Sequence, residues 1–240
     1  MDPLIALAAS GMRSRMESLD LLANNIANAS TGGYKADREF YSLYAAPEAQ
    51  DSDGSSVMPV IEKPWTDYSQ GVVQNTGNAL DVALTGKGFF AVNGPTGTLY
   101  TRNGSFALAP DGRIVTQDGY AVRSTTGQPI TLDGNRAVEI SNDGSVSQDG
   151  TVIGTLQIAD ISTSADVAKQ GNNYFVVGSP QSVTASDATV GQGKLESSNT
   201  GTAEAAVRLV SVMRQFEMLQ KAVTMGAEMD QKAIENVAKV

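Results

Sequence analysis

Large apolar residues recur at helical spacing near the N-terminus. The steps alternate between four and three residues along one seam, made of Ile5, Ala9, Met12, Met16, Leu19, Ala23 and Ile26. A mean step of about 3.5 residues is typical of a coiled coil. Pro3 suits the first turn of a helix, and Gly32 or Gly33 can end one. The pattern therefore predicts a helix from residue 3 to about residue 30.

The same spacing returns at the C-terminal end of the chain. Its seam consists of Ala205, Leu209, Val212, Phe216, Leu219, Val223 and Gly226. A helix from about 202 to 237 would be roughly 50 Å long at about 1.5 Å per residue. Only the N-terminal helix approaches this length, so the sequence favours a coiled-coil-like pair made of the two terminal helices.

Between the helices the pattern changes to short β runs separated by turns. The predicted strands are Val82–Leu84, Phe89–Val92, Leu99–Thr101, Phe106–Leu108, Ile114–Thr116, Tyr120–Arg123, Ala137–Ile140, Val152–Ile158 and Tyr174–Val177. Asn-Gly and Asp-Gly pairs punctuate them, and such pairs favour tight hairpins. The predicted fold is α+β, with terminal helices flanking a central, mainly antiparallel β domain.

The chain divides into four predicted segments. Residues 1–35 form the N-terminal helix and a following loop, and residues 36–76 form an extended linker rich in Pro, Asp, Gly and Ser. Residues 77–194 form the β domain, and residues 195–240 form the C-terminal helix that pairs with the N-terminal one.

The composition and net charge of the chain disfavour several kinds of function. The net charge of −9 disfavours nucleic acid and anionic membranes as partners. The chain has no Cys and no His, which removes thiol catalysis and the commonest general base. No apolar run suggests stable membrane insertion, and the N-terminus does not read as a cleaved signal peptide. The aspartates lie in Asp-Gly turns without calcium-loop spacing. We therefore expect no enzyme activity, no cofactor and no metal site.

A motif after the first helix carries a family resemblance. The segment NNIANASTGGYK, residues 24–35, is similar to the N-terminal signature of bacterial flagellar rod and hook proteins. The positions that carry the signature are Asn24, Asn25, Ala27, Asn28, Thr31, Gly33, Tyr34 and Lys35.

Further motifs extend the resemblance along the chain. TGNALDVAL at residues 76–84, YTRNGSF at 100–106 and LESSN at 195–199 look like the same family, and RQFE at 214–217 resembles its last helix. Thr200 and Gly201 depart from the family pattern at the start of that helix. The chain most resembles the short rod components, and the last helix favours a proximal-rod protein.

The resemblance implies a structural subunit of the flagellar basal body. Such a subunit would pass through the flagellar type III export apparatus, self-assemble with itself and other rod subunits in the periplasm, and transmit torque to the hook for motility. The terminal helices would order on assembly and form the interface. The expected interface residues are Ile5, Met12, Met16, Leu19, Ile26, Leu209, Val212, Phe216, Leu219 and Val223.

Three other interpretations fit parts of the pattern. A distal-rod protein of the same family has the same motifs. A coiled-coil surface adhesin with a β head has the same helices and hairpins, but it does not explain the motif at residues 24–35. A carbohydrate-active enzyme on a β scaffold would need paired carboxylates outside the turns.

Overall fold

The computed structural model describes residues 3–39, 41–45, 57–61, 64–162, 166–171, 173–178 and 183–237. The chain forms two compact units. The helical unit comprises Met1–Ala27, Asp37–Asp67 and Gly201–Val240, and the β unit comprises Asn28–Ala36 and Tyr68–Thr200.

Two long helices dominate the helical unit. Helix α1 spans Pro3–Ala27 and helix α2 spans Thr202–Val237, so both predicted helices are present. The helices lie side by side, since a Cβ atom added to Gly11 would lie 3.3 Å from Leu219 Cδ1. Coiled-coil packing of the pair stays a prediction.

The helices run in opposite directions. Asn25, near the end of α1, is hydrogen bonded to the backbone of Asp37. Two residues further, Glu39 forms an ion pair with Arg208 near the start of α2, with 3.2 Å between Oε2 and Nη2. Because Gly11 instead meets Leu219, the N-terminal half of α1 lies beside the middle of α2.

Four short strands complete the helical unit. Strand β1 (Asp37–Arg38) pairs with β4 (Trp65–Thr66), and β2 (Tyr41–Ala45) pairs with β3 (Val57–Ile61), both antiparallel. Part of the segment predicted as an extended linker is thus paired into ladders. Residues 46–56, the most polar part of that segment, lie outside the described residues.

The β unit contains sixteen described strands. They are β5 (Val73–Asn75), β6 (Val82–Thr85), β7 (Phe89–Asn93), β8 (Thr98–Thr101), β9 (Phe106–Leu108), β10 (Ile114–Thr116), β11 (Ala121–Val122), β12 (Val138–Ile140), β13 (Ser145–Gln148), β14 (Thr151–Thr155), β15 (Ile158–Asp160), β16 (Val167–Gln170), β17 (Tyr174–Val177), β18 (Thr184–Ala185), β19 (Thr189–Gln192) and β20 (Lys194–Glu196).

Every described strand pairing in the β unit is antiparallel, as predicted. The main sheet follows the order β16-β17-β8-β7-β11-β10-β9, and β15 joins it through β7 and also pairs with β18. Strands β12, β13 and β14 form a second sheet. The pairs β19-β6 and β20-β5 are separate ladders.

One predicted strand was wrong in its extent. The run Val152–Ile158 is divided into β14 and β15. The division falls at Leu156 and Gln157, whose backbone N–H groups donate to Gly144 O and Arg123 O rather than continuing one ladder. The change of partner ends β14 although the apolar run continues.

Strand β7 is buried on both faces. Phe90 and Val92 belong to the larger core cluster, whereas Phe89 and Ala91 belong to a smaller one. In the smaller cluster the rings of Phe89 and Phe175 stack edge to face, with centroids 5.3 Å apart. The continuous apolar sequence FFAV is explained by this two-sided burial.

Candidate functional site

The loop that follows α1, residues 28–36, is closed by hydrogen bonds between residues close in sequence, and we call it the signature loop. Thr31 N donates to Asn28 O at 3.0 Å, and Thr31 Oγ1 contacts Asn28 Oδ1 at 3.3 Å. Tyr34 N in turn donates to Thr31 O at 3.3 Å. These bonds turn the chain within a few residues, because the Asn and Thr side chains and carbonyls replace helical partners.

Gly33 fixes this loop against two other parts of the β unit. Its φ angle is 68°, in the left-handed region. A Cβ atom there would lie 2.4 Å from both Arg102 C and Asn103 N, a distance that atoms do not tolerate. Its N–H donates to Glu196 O at 2.7 Å. Only glycine therefore fits this position.

A buried ion cluster lies at the same place, and we call Lys35, Arg102 and Glu196 the junction. Lys35 Nζ lies 2.6 Å from Glu196 Oε1, and Arg102 Nε lies 2.6 Å from Glu196 Oε2. The three side chains are 1%, 3% and 0% exposed, respectively. Charges at this depth are tolerated only when they are paired and hydrogen bonded.

Backbone groups bind most of the remaining polar atoms of the junction. Gly71 N donates to Glu196 Oε1 at 2.9 Å, and Lys35 Nζ donates to Ser69 O at 2.6 Å. The Arg102 guanidinium donates to three carbonyls, those of Leu84, Gly86 and Gly88. The junction thereby joins five separate segments of the β unit.

Asn199 joins the segment that follows α1 to the segment that precedes α2. Its Oδ1 accepts from Ala36 N at 2.8 Å, and its own N–H donates to Tyr34 O at 3.3 Å. Lys169 Nζ donates to Lys35 O at 2.7 Å and lies 4.8 Å from the centre of the Tyr34 ring. Residues 33–36 and 196–199 are consequently bound to each other inside the β unit.

The other signature residues lie at the end of α1. Asn25 is buried, and its amide both donates to Asp37 O at 2.8 Å and accepts from Asp37 N at 3.0 Å. Asn24 and Ala27 are exposed. The signature therefore combines an amide bridge in the helical unit with a loop in the β unit.

The face of α1 that is buried differs from its predicted seam. The buried positions are Ala8, Ser14, Ser18, Leu22 and Asn25, and all of them except Leu22 are small or polar. Met16, in the predicted seam, is 52% exposed, and Met12, Leu19 and Ile26 are partly buried. The side chain of Ile5 lies outside the described residues. The seam lies about 100° around the helix from the buried face, so assembly contacts of these residues stay a prediction.

Helix α2 buries the face that its seam predicts. Val212 is buried, and Leu209, Phe216, Leu219 and Val223 are partly buried. The opposite face is also apolar, and we call it the outer stripe. It comprises Val207, Val210, Met218, Met225 and Met229, which are between 49% and 72% exposed. None of these five residues belongs to the predicted seam of α2.

The turn aspartates interact with the protein backbone. Ser145 N donates to Asp143 Oδ1 at 3.0 Å, and this bond lowers the pKa of the exposed carboxyl. Arg113 N lowers the pKa of Asp111 in the same way. Within the described residues no group of three acidic side chains could hold a metal ion. Turn chemistry accounts for both aspartates.

Neither helix, over its described residues, is long and apolar enough to cross a bilayer.

Long terminal helices, an outer apolar stripe and a β unit that binds both connecting segments define a structural, assembly-forming class of protein. Three family matches make this class specific. Residues 5–35 match the family described as flagella basal body rod protein, residues 83–153 the flagellar hook protein FlgE/F/G D1 domain, and residues 192–236 the flagellar basal body rod FlgEFG protein C-terminal family.

Curated relatives match this chain over all or nearly all of its length. The basal-body rod protein FlgF of Caulobacter vibrioides is 33% identical, with 100% of both chains covered. The rod protein FlgG of Agrobacterium fabrum is 32% identical over 94% of this chain and 95% of its own length. FlgF of Mesorhizobium japonicum is 28% identical over 99% of this chain and 98% of its own length. The chain belongs to the flagellar basal-body rod protein family, and the adhesin interpretation is not favoured.

The three matched regions each contribute one residue to the junction. Lys35, Arg102 and Glu196 lie one in each of the three matched regions. The motifs YTRNGSF and LESSN contain Arg102 and Glu196, but neither residue is among the predicted site residues. A lone Arg and a lone Glu, 94 residues apart, give no sequence signal of pairing.

Proposed function

We propose that this protein is a structural subunit of the flagellar basal-body rod that polymerises through exposed faces of its terminal helices. The observation that carries the proposal is the outer stripe of α2, which is apolar and uncovered within the described chain. Large apolar side chains exposed together on one face mark interaction sites in soluble proteins. Methionine suits such a face, because its flexible side chain adapts to different neighbours.

Helix α1 offers a second face for the same purpose. Met16 is 52% exposed, and Ala9 and Ala23 on the same seam are also exposed. The small residues on the buried face leave the larger apolar residues of the seam available to other subunits. In this proposal the predicted interface residues of α1 act in assembly together with the outer stripe of α2, and the helices become fully ordered as neighbouring subunits bind them.

The position in the rod is proposed as proximal. The last-helix sequence RQFE, residues 214–217, favours this position over the distal alternative. We further propose export through the flagellar type III apparatus without a cleaved signal, assembly in the periplasm with itself and other rod subunits, and transmission of torque to the hook.

Replacing Met218 by Asp tests the proposal. Met218 is 60% exposed, so the charge should leave the free chain folded while it disrupts a buried subunit contact. The variant is produced in bacteria that lack their own copy of the protein. We expect wild-type circular dichroism but loss of the chain from purified basal bodies and loss of swimming.

Asn135→Asp, in an exposed turn of the β unit, serves as the matched control. It adds the same charge at a site without apolar surroundings and should assemble normally. Incorporation of the Met218→Asp chain into basal bodies at the wild-type level would contradict assembly through the outer stripe.

A further inference from the structure

A cavity of about 450 Å³ lies beside the junction, within the β unit. Its lining combines two aromatic rings with polar and cationic side chains, including Tyr68, Gln70, Lys87, Phe89, Arg102 and Ser162. Tyr68 and Phe89 stand edge to face with centroids 5.7 Å apart. The walls are mainly apolar, which is typical of sites that bind small organic groups.

Arg102 has one N–H group that the described residues leave without an acceptor. Of its five N–H groups, Nε–H donates to Glu196, the two on Nη2 donate to Leu84 O and Gly86 O, and one on Nη1 donates to Gly88 O. The side chain is only 3% exposed. A buried donor of this kind costs free energy unless a partner reaches it.

The charged groups beside the cavity are net positive, which also favours an anion. The junction contains two cations and one carboxylate, so it carries an excess of one positive charge. Lys87, at the cavity, is exposed, and its ammonium group forms no ion pair with any residue that the structure describes. A cationic, partly desolvated site inside an acidic protein selects an anion by local rather than global electrostatics.

We propose that this cavity binds a carboxylate attached to an apolar or planar group. The carboxylate accepts from the free N–H of Arg102 Nη1 and from Lys87, and the apolar part lies against the cavity side of the Tyr68–Phe89 pair. Two sources carry this chemistry, an acidic side chain of a neighbouring subunit and a free organic acid. The site stands on the cavity itself and does not depend on the proposed rod function.

Calorimetric titration of the full chain with benzoate tests the site, and benzamide is the neutral control of the same shape. We expect saturable benzoate binding and at least about tenfold weaker benzamide binding, a ratio that equals about 1.4 kcal/mol. Because the net charge is −9, general attraction of anions does not explain saturation. Equal affinities for both compounds, or no saturable benzoate binding, would overturn the proposal.

Lys87→Met and Lys232→Met locate the binding within the chain. Lys87→Met keeps the aliphatic stem and removes the charge, so we expect benzoate affinity to fall at least about threefold. Lys232→Met removes the same charge from an exposed position of α2 and should leave the affinity unchanged. Equal effects of the two variants would place the binding outside this cavity.

Sedimentation of the assembling chain separates the two sources. If the carboxylate belongs to a neighbouring subunit, saturating benzoate competes for the cavity and slows polymer formation, and Lys87→Met does the same. If the ligand is a free organic acid, polymer formation is unchanged. Either result supports a carboxylate site, provided that the calorimetric preference for benzoate is observed.

Discussion

Replacing Glu196 by Gln should strongly destabilise the β unit. The carboxylate accepts from Lys35 Nζ, Arg102 Nε and Gly71 N, at 2.6, 2.6 and 2.9 Å. The amide keeps one acceptor oxygen, and its NH₂ group then faces the donor of either Lys35 or Arg102. Two cations stay buried without a compensating charge.

The magnitude follows from the burial of the cluster. Removing one partner of a buried ion pair costs about 3–5 kcal/mol, a large part of the roughly 5–15 kcal/mol that stabilises a typical domain. Each kcal/mol lowers Tm by roughly 2–4 °C in chains of this size. We therefore expect Tm to fall by roughly 6–20 °C.

Differential scanning calorimetry of the full chain measures this change, and far-UV circular dichroism follows the β signal. Glu139→Gln is the matched control, since Glu139 is exposed on β12 of the same unit. Its Tm should change by no more than the equivalent of about 0.5 kcal/mol. Equal Tm values for the two variants would refute the role of the junction.

Three further predictions test other parts of the fold. Gly33→Ala should destabilise the β unit by more than about 2 kcal/mol in urea unfolding, because the added Cβ atom would clash with the backbone of Arg102 and Asn103. Gly119→Ala is the control, since Gly119 has a φ of 84° with open space around it, and it should cost only about 1 kcal/mol. Equal costs of the two variants would contradict the clash. Asn25→Ala should cost about 1–3 kcal/mol, since the Asn25 amide no longer binds the backbone N–H and C=O of Asp37. Native-state hydrogen exchange at Asp37 should accelerate, and unchanged exchange would argue against this bridge. Burial and a hydrogen bond to a carboxylate raise the pKa of Tyr174 well above its usual value, so its contribution to stability is present below about pH 10 and declines as pH rises further; Tyr174→Phe should flatten this decline in chemical unfolding, and an unchanged slope would contradict the assignment.

The helices were predictable because their signal is local. The seam of α2 gives its bounds, Thr202–Val237, and its buried face. In α1 the same rule selected the large apolar residues, whereas the buried face contains Ser14 and Ser18. Small residues allow close approach of the two helices, and a search for hydrophobic periodicity gives them little weight.

The strands were predictable where apolar residues dominate. Strands β7, β8 and β10 follow the predicted runs closely. Strand β13, with the sequence SVSQ, was missed because only Val146 is apolar and buried in it. Its pairing is set by neighbours in the sheet, a tertiary effect that a single sequence does not contain.

The junction could not be read from spacing. Lys35 and Glu196 are separated by 161 residues, and each residue type is ordinarily exposed. Their motifs signal family membership, whereas their contact depends on how the β unit brings five segments together.

The most direct test of the central claim is the accessibility of the outer stripe before and after assembly. The chain contains no cysteine, so Met218→Cys introduces a single labelling site, and Asn135→Cys provides an exposed control. The account predicts that a maleimide reagent labels Met218→Cys rapidly in the free chain and at least about tenfold more slowly in purified basal bodies, while Asn135→Cys stays reactive in both. Equal labelling of Met218→Cys in the free chain and in basal bodies would contradict assembly through this face.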